Sequence, residues 1–237
     1  MKFRRRRSED EEPLDVPELA DEFDELETDR PRGPWDRTET RVDEEDEGYV
    51  DLGGLVVKGV EGLELRLQID EASSMVAAVL LAGPTSGLEL RAFAAPTSGG
   101  IWDEVRADIA AEAGRHGGTA TEQDGEFGTE LKVIVQVQTP DGQHGTQTSR
   151  IVGVEGPRWL LRGTFLGQSA EEADPGGPVE SAFRDVIVVR GDEPMSPREM
   201  LPMRMPLDAQ QLVAEQLQAQ AGEAGSDGYD DDDPDED

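Results

Sequence analysis

Between Leu63 and Asp70 apolar and polar residues alternate: Leu63, Leu65, Leu67 and Ile69 are interleaved with Glu64, Arg66, Gln68 and Asp70. A period of two places one set on each face of an extended strand, so this segment reads as a half-buried β-strand. The same alternation runs through Leu88, Leu90, Ala92 and Ala94, through Leu131, Val133, Val135 and Val137, and through Trp159, Leu161, Gly163 and Phe165. More continuously apolar strands are expected at 55–57, 74–82, 147–154 and 186–189. The tetrapeptide Pro-Thr-Ser-Gly occurs at 84–87 and again at 96–99, and Pro140-Asp141-Gly142 follows the strand of Leu131. All three sit where a strand should end, which turn chemistry explains.

One segment breaks the period. Ile101, Val105, Ile109 and Ala113 recur every fourth residue, with Trp102 beside them, and predict a helix from Ile101 to His116. Asp103 and Glu104 suit its positive end and Arg115 its negative end, while Gly117-Gly118 stops it. Ser98 is the expected N-terminal cap. A shorter helix is expected at 179–183, after an acidic, Pro- and Gly-rich loop at 168–178. Runs of strands with few helices predict an α+β fold: a single domain with a mainly antiparallel β-sheet and one or two packed helices. Beyond Arg190 the chain turns rich in Pro and Met, which predicts an extended strap whose Met side chains fill grooves. Asp208 and Gln211 have capping-box spacing, and Ala209, Val213 and Leu217 form a narrow helical stripe.

Charge then sets the boundaries. The formal net charge is −32, and residues 8–48 hold nineteen acids against four arginines. Residues 1–7 are basic (+5) and residues 223–237 carry −9, while 49–206 hold twenty-four acids against thirteen bases. Segments so acidic and so poor in apolar residues cannot offset chain entropy. The expected organisation is a disordered basic-then-acidic arm at 1–32 and an α+β domain at 33–206. A short amphipathic helix at 207–221 and a disordered acidic tail at 222–237 complete it. A domain of about 170 residues buries roughly 70% of the surface its unfolded chain exposes, enough for an independent core.

Several chemistries drop out. With no cysteine there is no disulfide, thiolate metal site or cysteine nucleophile. Arg4 to Arg7 lead into Ser8-Glu9-Asp10-Glu11-Glu12 rather than an apolar stretch, so no export signal is expected. The longest apolar run, Met75 to Ala82, is far shorter than the roughly 20 residues of a membrane span. A cytoplasmic location is expected, with no membrane partner. There is no Gly-x-Ser-x-Gly, no Walker lysine and no Gly-x-Gly-x-x-Gly, and neither His116 nor His144 has a partner at metal-ligand spacing. No catalytic residue, metal or cofactor is expected, and an enzyme is disfavoured. The negative field also opposes direct nucleic-acid binding.

What remains is a set of cations on the polar sides of the strands: Arg66, Arg91, Lys132, Arg150, Arg158 and Arg162. Arg158 and Arg162 are expected on one side of their strand, opposite Trp159 and Leu161. If these strands share one exposed face, two readings stand: cross-strand pairing with Glu64, Glu89 and Glu130, or a surface that recognises anions through arginine forks. Trp35, in Gly33-Pro34-Trp35-Asp36, either pins the arm to the domain or serves as a docking anchor for a partner. The function expected is a non-enzymatic interaction or regulatory module. Its acidic arms would modulate binding to a protein partner of basic character, or to the arginine-bearing face itself. An acidic competitor that mimics nucleic acid before a basic protein is one alternative; an enzyme or small-anion and nucleotide-binding protein of unrecognised type is another.

Gly33-Pro34-Trp35-Asp36, Asp51-Leu52-Gly53-Gly54-Leu55, Ser98-Gly99-Gly100-Ile101-Trp102-Asp103-Glu104, Gly156-Pro157-Arg158-Trp159 and Val189-Arg190-Gly191-Asp192-Glu193-Pro194-Met195 resemble segments of an actinobacterial family, "domain of unknown function 3710". The resemblance spans about 33–206. It implies a cytoplasmic protein of GC-rich bacteria and brings no activity, cofactor or residue role.

Overall fold

The computed structural model describes residues 32–40, 48–70, 75–138, 142 and 144–206. In chain order the elements are β1 (Trp35–Asp36), β2 (Tyr49–Asp51), β3 (Leu55–Lys58), β4 (Glu64–Asp70), β5 (Met75–Ala82), β6 (Ser86–Ala94) and α1 (Ile101–Arg115). Then come β7 (Thr119–Gly125), β8 (Gly128–Gln138), β9 (His144–Gly156), β10 (Trp159–Gly167), α2 (Gln168–Glu171), α3 (Pro178–Arg184) and β11 (Ile187–Val188). The expected helix at 207–221 and both expected acidic arms, apart from Arg32, lie outside the described residues.

Seven strands form one fully antiparallel sheet in the order β4-β5-β6-β10-β9-β8-β7. A second, four-stranded sheet runs β1-β11-β3-β2, and its β1–β11 pair is parallel. The architecture is α+β and mainly antiparallel. The alternating positions do what their period dictates. Val79, Leu81, Leu88, Leu90, Val152, Leu161 and Phe165 point to one face of the large sheet and meet Leu55, Val57 and Val188 of the small one. Phe183 of α3 enters the same core beside Gly163, where any Cβ would collide with its ring.

The opposite, outer face carries α1, which packs across β7, β8 and β9. Ile101 and Trp102 meet Leu160 there, and Ala113 meets Leu131 and Val133. Gly153 leaves the space in which the Trp102 ring lies. Trp102 then donates its Nε1–H to the Thr129 carbonyl at 2.8 Å. Beyond β11 the chain is the expected strap: Leu201 and Met203 are buried, and residues 198–204 hydrogen-bond Ala92, Ala94 and Leu52.

Three local expectations need correction. Ser98 does not cap α1. The N-cap is Gly100, in the left-handed region at φ 82°, and the free N–H groups of Gly100 and Trp102 donate to the Glu155 carboxylate at 2.8 and 2.6 Å. A carboxylate from a neighbouring hairpin satisfies two donors at once and also meets the helix dipole. Residues 168–171, expected as loop, form one helical turn, α2. β7 is a strand without a sequence signal, because Thr-Ala-Thr-Glu-Gln-Asp-Gly has no apolar period; it is an edge strand exposed to solvent.

Candidate functional site

Strand register divides the six cations between the two faces. Cross-strand rows run Arg66–Leu80–Glu89–Thr164–Ile151 and, next to it, Arg91–Arg162–Gly153. Arg66, Arg91 and Arg162 therefore share the outer face, the one that α1 partly covers. Arg150 lies in the series Arg150, Val152, Val154 and points into the opposite, buried face. Lys132 stands directly across from it on that side and reaches the Glu171 carboxylate at 2.9 Å. Arg158 is not in a strand. It occupies the Pro157-Arg158 turn between β9 and β10 at φ 62°, and it donates to the Gly191 carbonyl at 3.0 Å. The six cations therefore do not share one exposed face: Arg150 and Lys132 lie on the inner side and Arg158 in a turn, which corrects Arg150 and Arg158 out of the expected anion-binding set and leaves Arg66, Arg91 and Arg162.

Arg150 instead holds a charge cluster in the core. Its side chain is 2% exposed, and it donates to Glu130 at 3.2 Å, to Glu180 at 2.5 Å and to the Ser169 carbonyl at 2.9 Å. Its guanidinium carbon lies 3.9 Å from the centre of the Phe165 ring. Gln123 supplies a further donor to Glu130 at 2.7 Å. All three guanidinium nitrogens are engaged, so Arg150 offers nothing to a ligand.

The three outer-face arginines differ in their partners. Arg66 pairs with Glu64 at 2.6 Å, and both are exposed. Arg91 pairs with Glu89 at 2.9 Å and also donates to the Gln68 side-chain oxygen at 3.4 Å. Arg162 has no ion pair or hydrogen bond among the described residues, and its Nε is buried without an acceptor. The Phe93 ring lies 5.4 Å from its guanidinium carbon. Arg91 lies directly across from it in the neighbouring strand, a like-charge pairing that destabilises. Burial first, and the charge of Arg91 second, pull the Arg162 pKa below the ordinary arginine value, while Glu89 opposes the shift. The ordinary value is so high that the group stays cationic.

Arg162 lies on the floor of a groove of about 640 Å³ between the flank of α1 and the sheet. Ile101, Val105 and Ile109 form the helix wall, and Leu160, Ile151 and Val133 line the sheet side. Thr164 and Gln136 add uncharged polar groups. The acids near the opening already have partners: Arg198 reaches Asp108 at 2.8 Å and Glu104 at 2.9 Å, and Glu112 faces Arg115 at 3.4 Å. An apolar groove of a few hundred Å³ with one convergent polar group is the usual form of a small-ligand site.

A second concavity of about 1400 Å³ lies between the β5–β6 turn, residues 146–148 and the segment from Gly167 to Glu180. Two of its acids already have cationic partners: Glu180 binds Arg150 and Glu171 binds Lys132. Among the described residues no group of three or more His, Asp or Glu side chains is placed to hold a metal ion. No helix among them is long and apolar enough to cross a membrane. Trp35, half-buried, lies in β1, where its N–H donates to the Val186 carbonyl at 2.9 Å and fastens the start of the domain to the small sheet.

Residues 33–212 match the family described as "Protein of unknown function (DUF3710)". The chain belongs to that family. No curated protein matches it. Membership in DUF3710 fixes the domain without assigning it a reaction, so any account of function rests on the groove and its arginine.

The sequence pointed to Arg162 but not to the groove. The missing signal was a parity one: Phe93 and Leu160 are apolar on the side of their strands that also carries Arg91 and Arg162, and Ile151 of β9 shares that sheet face. Apolar residues at those positions mean that something covers the outer face, and the amphipathic helix 101–115 was the element available to do it.

Proposed function

We propose that this domain is a non-enzymatic recognition module whose binding site is the groove beside α1, with Arg162 as the anchor for an anion. The observation that carries this reading is the buried Nε of Arg162, without a partner among the described residues. Leaving a buried donor unsatisfied costs about 1–3 kcal/mol, and more for a charged group, so such groups persist where a ligand completes them. The aliphatic side chains of the helix wall and sheet floor around Arg162 favour recognition over chemistry, and the second lining arginine, Arg198, is engaged by Asp108 and Glu104.

The acidic residues 8–30 are an anion carried on the same chain. Joined to the domain in this way, they compete for the groove at an effective concentration of roughly millimolar. A basic protein partner that draws the arm away would free the site.

The test is a titration of full-length protein with acetate, benzoate, sulfate and phosphate at constant ionic strength. The Arg162 Nε–H signal is followed by nuclear magnetic resonance. A saturable shift of that signal with at least one anion supports the reading when the accompanying shifts of the Leu160 and Thr164 amides disappear in Arg162→Met. Changing the acids of residues 9–29 to their amides should tighten that binding. No saturable shift with any of the four sinks the proposal.

A further inference from the structure

The shape and charge of the groove narrow its ligand further, on the reading that Arg162 is the anion anchor. We propose that the groove takes an amphipathic monocarboxylate: one carboxylate head on Arg162 and an unbranched apolar body running under α1 towards Val133.

The head follows from charge. Arg91 is engaged by Glu89, and Arg198 by Glu104 and Asp108, which leaves Arg162 as the unpaired cation on the floor among the described residues. A single guanidinium matches one carboxylate through two parallel hydrogen bonds. A phosphate dianion needs further donors. The nearest ready-made set, the free N–H groups at the start of α1, is already filled by Glu155.

The body follows from register. From Arg162 in β10 the apolar floor continues to Ile151 in β9 and Val133 in β8, beneath Ile109 and Ala113. Ile151 lies one strand over and two residues along from Arg162, and Val133 two strands over and four residues along, so the line runs diagonally across the sheet for about 16 Å. Along that line the sheet floor is mostly apolar, with the Thr164 hydroxyl beside Ile151 and the Gln136 amide at the far end. A short acid would leave this floor wet, and an alcohol of the same length would leave Arg162 unpaired. The groove volume of about 640 Å³ accommodates such a molecule with room to spare.

The experiment is isothermal titration of full-length protein with octanoate, butanoate, 1-octanol and octyl phosphate, all below their aggregation limits. Octanoate should bind saturably, at least tenfold tighter than butanoate or octanol. Arg162→Met should weaken octanoate at least tenfold and leave octanol unchanged. Arg162→Lys, which keeps the charge without the fork, should fall between them. Ile151→Ala, which removes apolar floor one strand from Arg162, should weaken octanoate and spare butanoate. Thermal melts establish that each variant is folded, and the Arg162→Lys and Ile151→Ala variants keep the test open if the Met variant is not. Butanoate equal to octanoate, with dependence on Arg162, overturns the amphipathic ligand while the anion anchor stands. Octyl phosphate tighter than octanoate overturns the carboxylate head. Octanoate binding that ignores Arg162 overturns both this inference and the reading beneath it.

Discussion

Arg150 and Arg162 sit on adjacent strands of one sheet, and the same substitution, Arg→Met, should change stability in opposite directions at the two. Removing Arg150 strands Glu130 and Glu180, which are 1% and 2% exposed, in the core without a cation. Breaking a buried pair by deleting one partner costs about 3–5 kcal/mol. The loss of the Phe165 contact at 3.9 Å adds to that. Against a total stability of about 5–15 kcal/mol this is a large fraction. Arg162→Met removes a half-buried guanidinium that has no acceptor among the described residues and faces Arg91 across the ladder. Relief of the unsatisfied donor is worth about 1–3 kcal/mol when burial is complete, and partial exposure reduces it. The lost Phe93 contact subtracts about 0.5–1 kcal/mol. The expected net is a gain of about 1 kcal/mol, or roughly 2–4 °C in melting temperature for a domain of this size. Urea unfolding followed by fluorescence of Trp102 and Trp159 measures both. A stabilised or neutral Arg162→Met beside a strongly destabilised Arg150→Met supports the assignment of roles. A loss of more than about 1 kcal/mol in Arg162→Met, persisting when the acids of residues 9–29 are amides, would mean that Arg162 already has a partner within the domain, and the binding proposal would fall with it.

Glu155→Ala should cost about 1–2 kcal/mol, because it uncaps α1, and should speed amide exchange at Gly100 and Trp102 selectively; uniform exchange along the helix would contradict a local cap. Gly153→Ala should displace the Trp102 ring and cost about 1–3 kcal/mol, with a change in near-ultraviolet circular dichroism; an unaltered spectrum would mean that the indole does not lie on Gly153. The Thr148 hydroxyl first, and Lys132 second, hold the Glu171 carboxyl below the usual carboxylate range. A depressed carboxyl pKa stabilises the fold above the unfolded-state value, and that contribution fades as pH falls through the folded midpoint. Thr148→Val should therefore raise the Glu171 midpoint in a carbon-detected titration and flatten the acid limb of stability; an unmoved midpoint would remove the hydroxyl as the cause.

The sequence made the strands of the large sheet legible wherever one face is buried and the other polar, as in β4 and β6, because period two then follows from burial alone. It could not reveal β7, whose residues are mostly exposed, nor the division into two sheets, which depends on pairings such as Trp35 with Ile187, far apart in the chain. The helix was legible from its stripe, but its cap was not: Glu155 is 55 residues from Gly100, and a distant carboxylate leaves no mark near the helix start. The arginines show why side-chain type is a weaker guide than parity. Arg150 looked like its neighbours as a cation on a strand, yet its place in the series with Val152 and Val154 put it inward. Arginine at an inward position demands buried acids, and Glu130 and Glu180 answer that demand. Arg162 is outward by the same parity but sits among outward residues that are themselves apolar. An outward face that is apolar and covered by a helix is a second, smaller core. A cation left without a partner among the described residues in such a place costs stability, and the proposed anion would offset that cost.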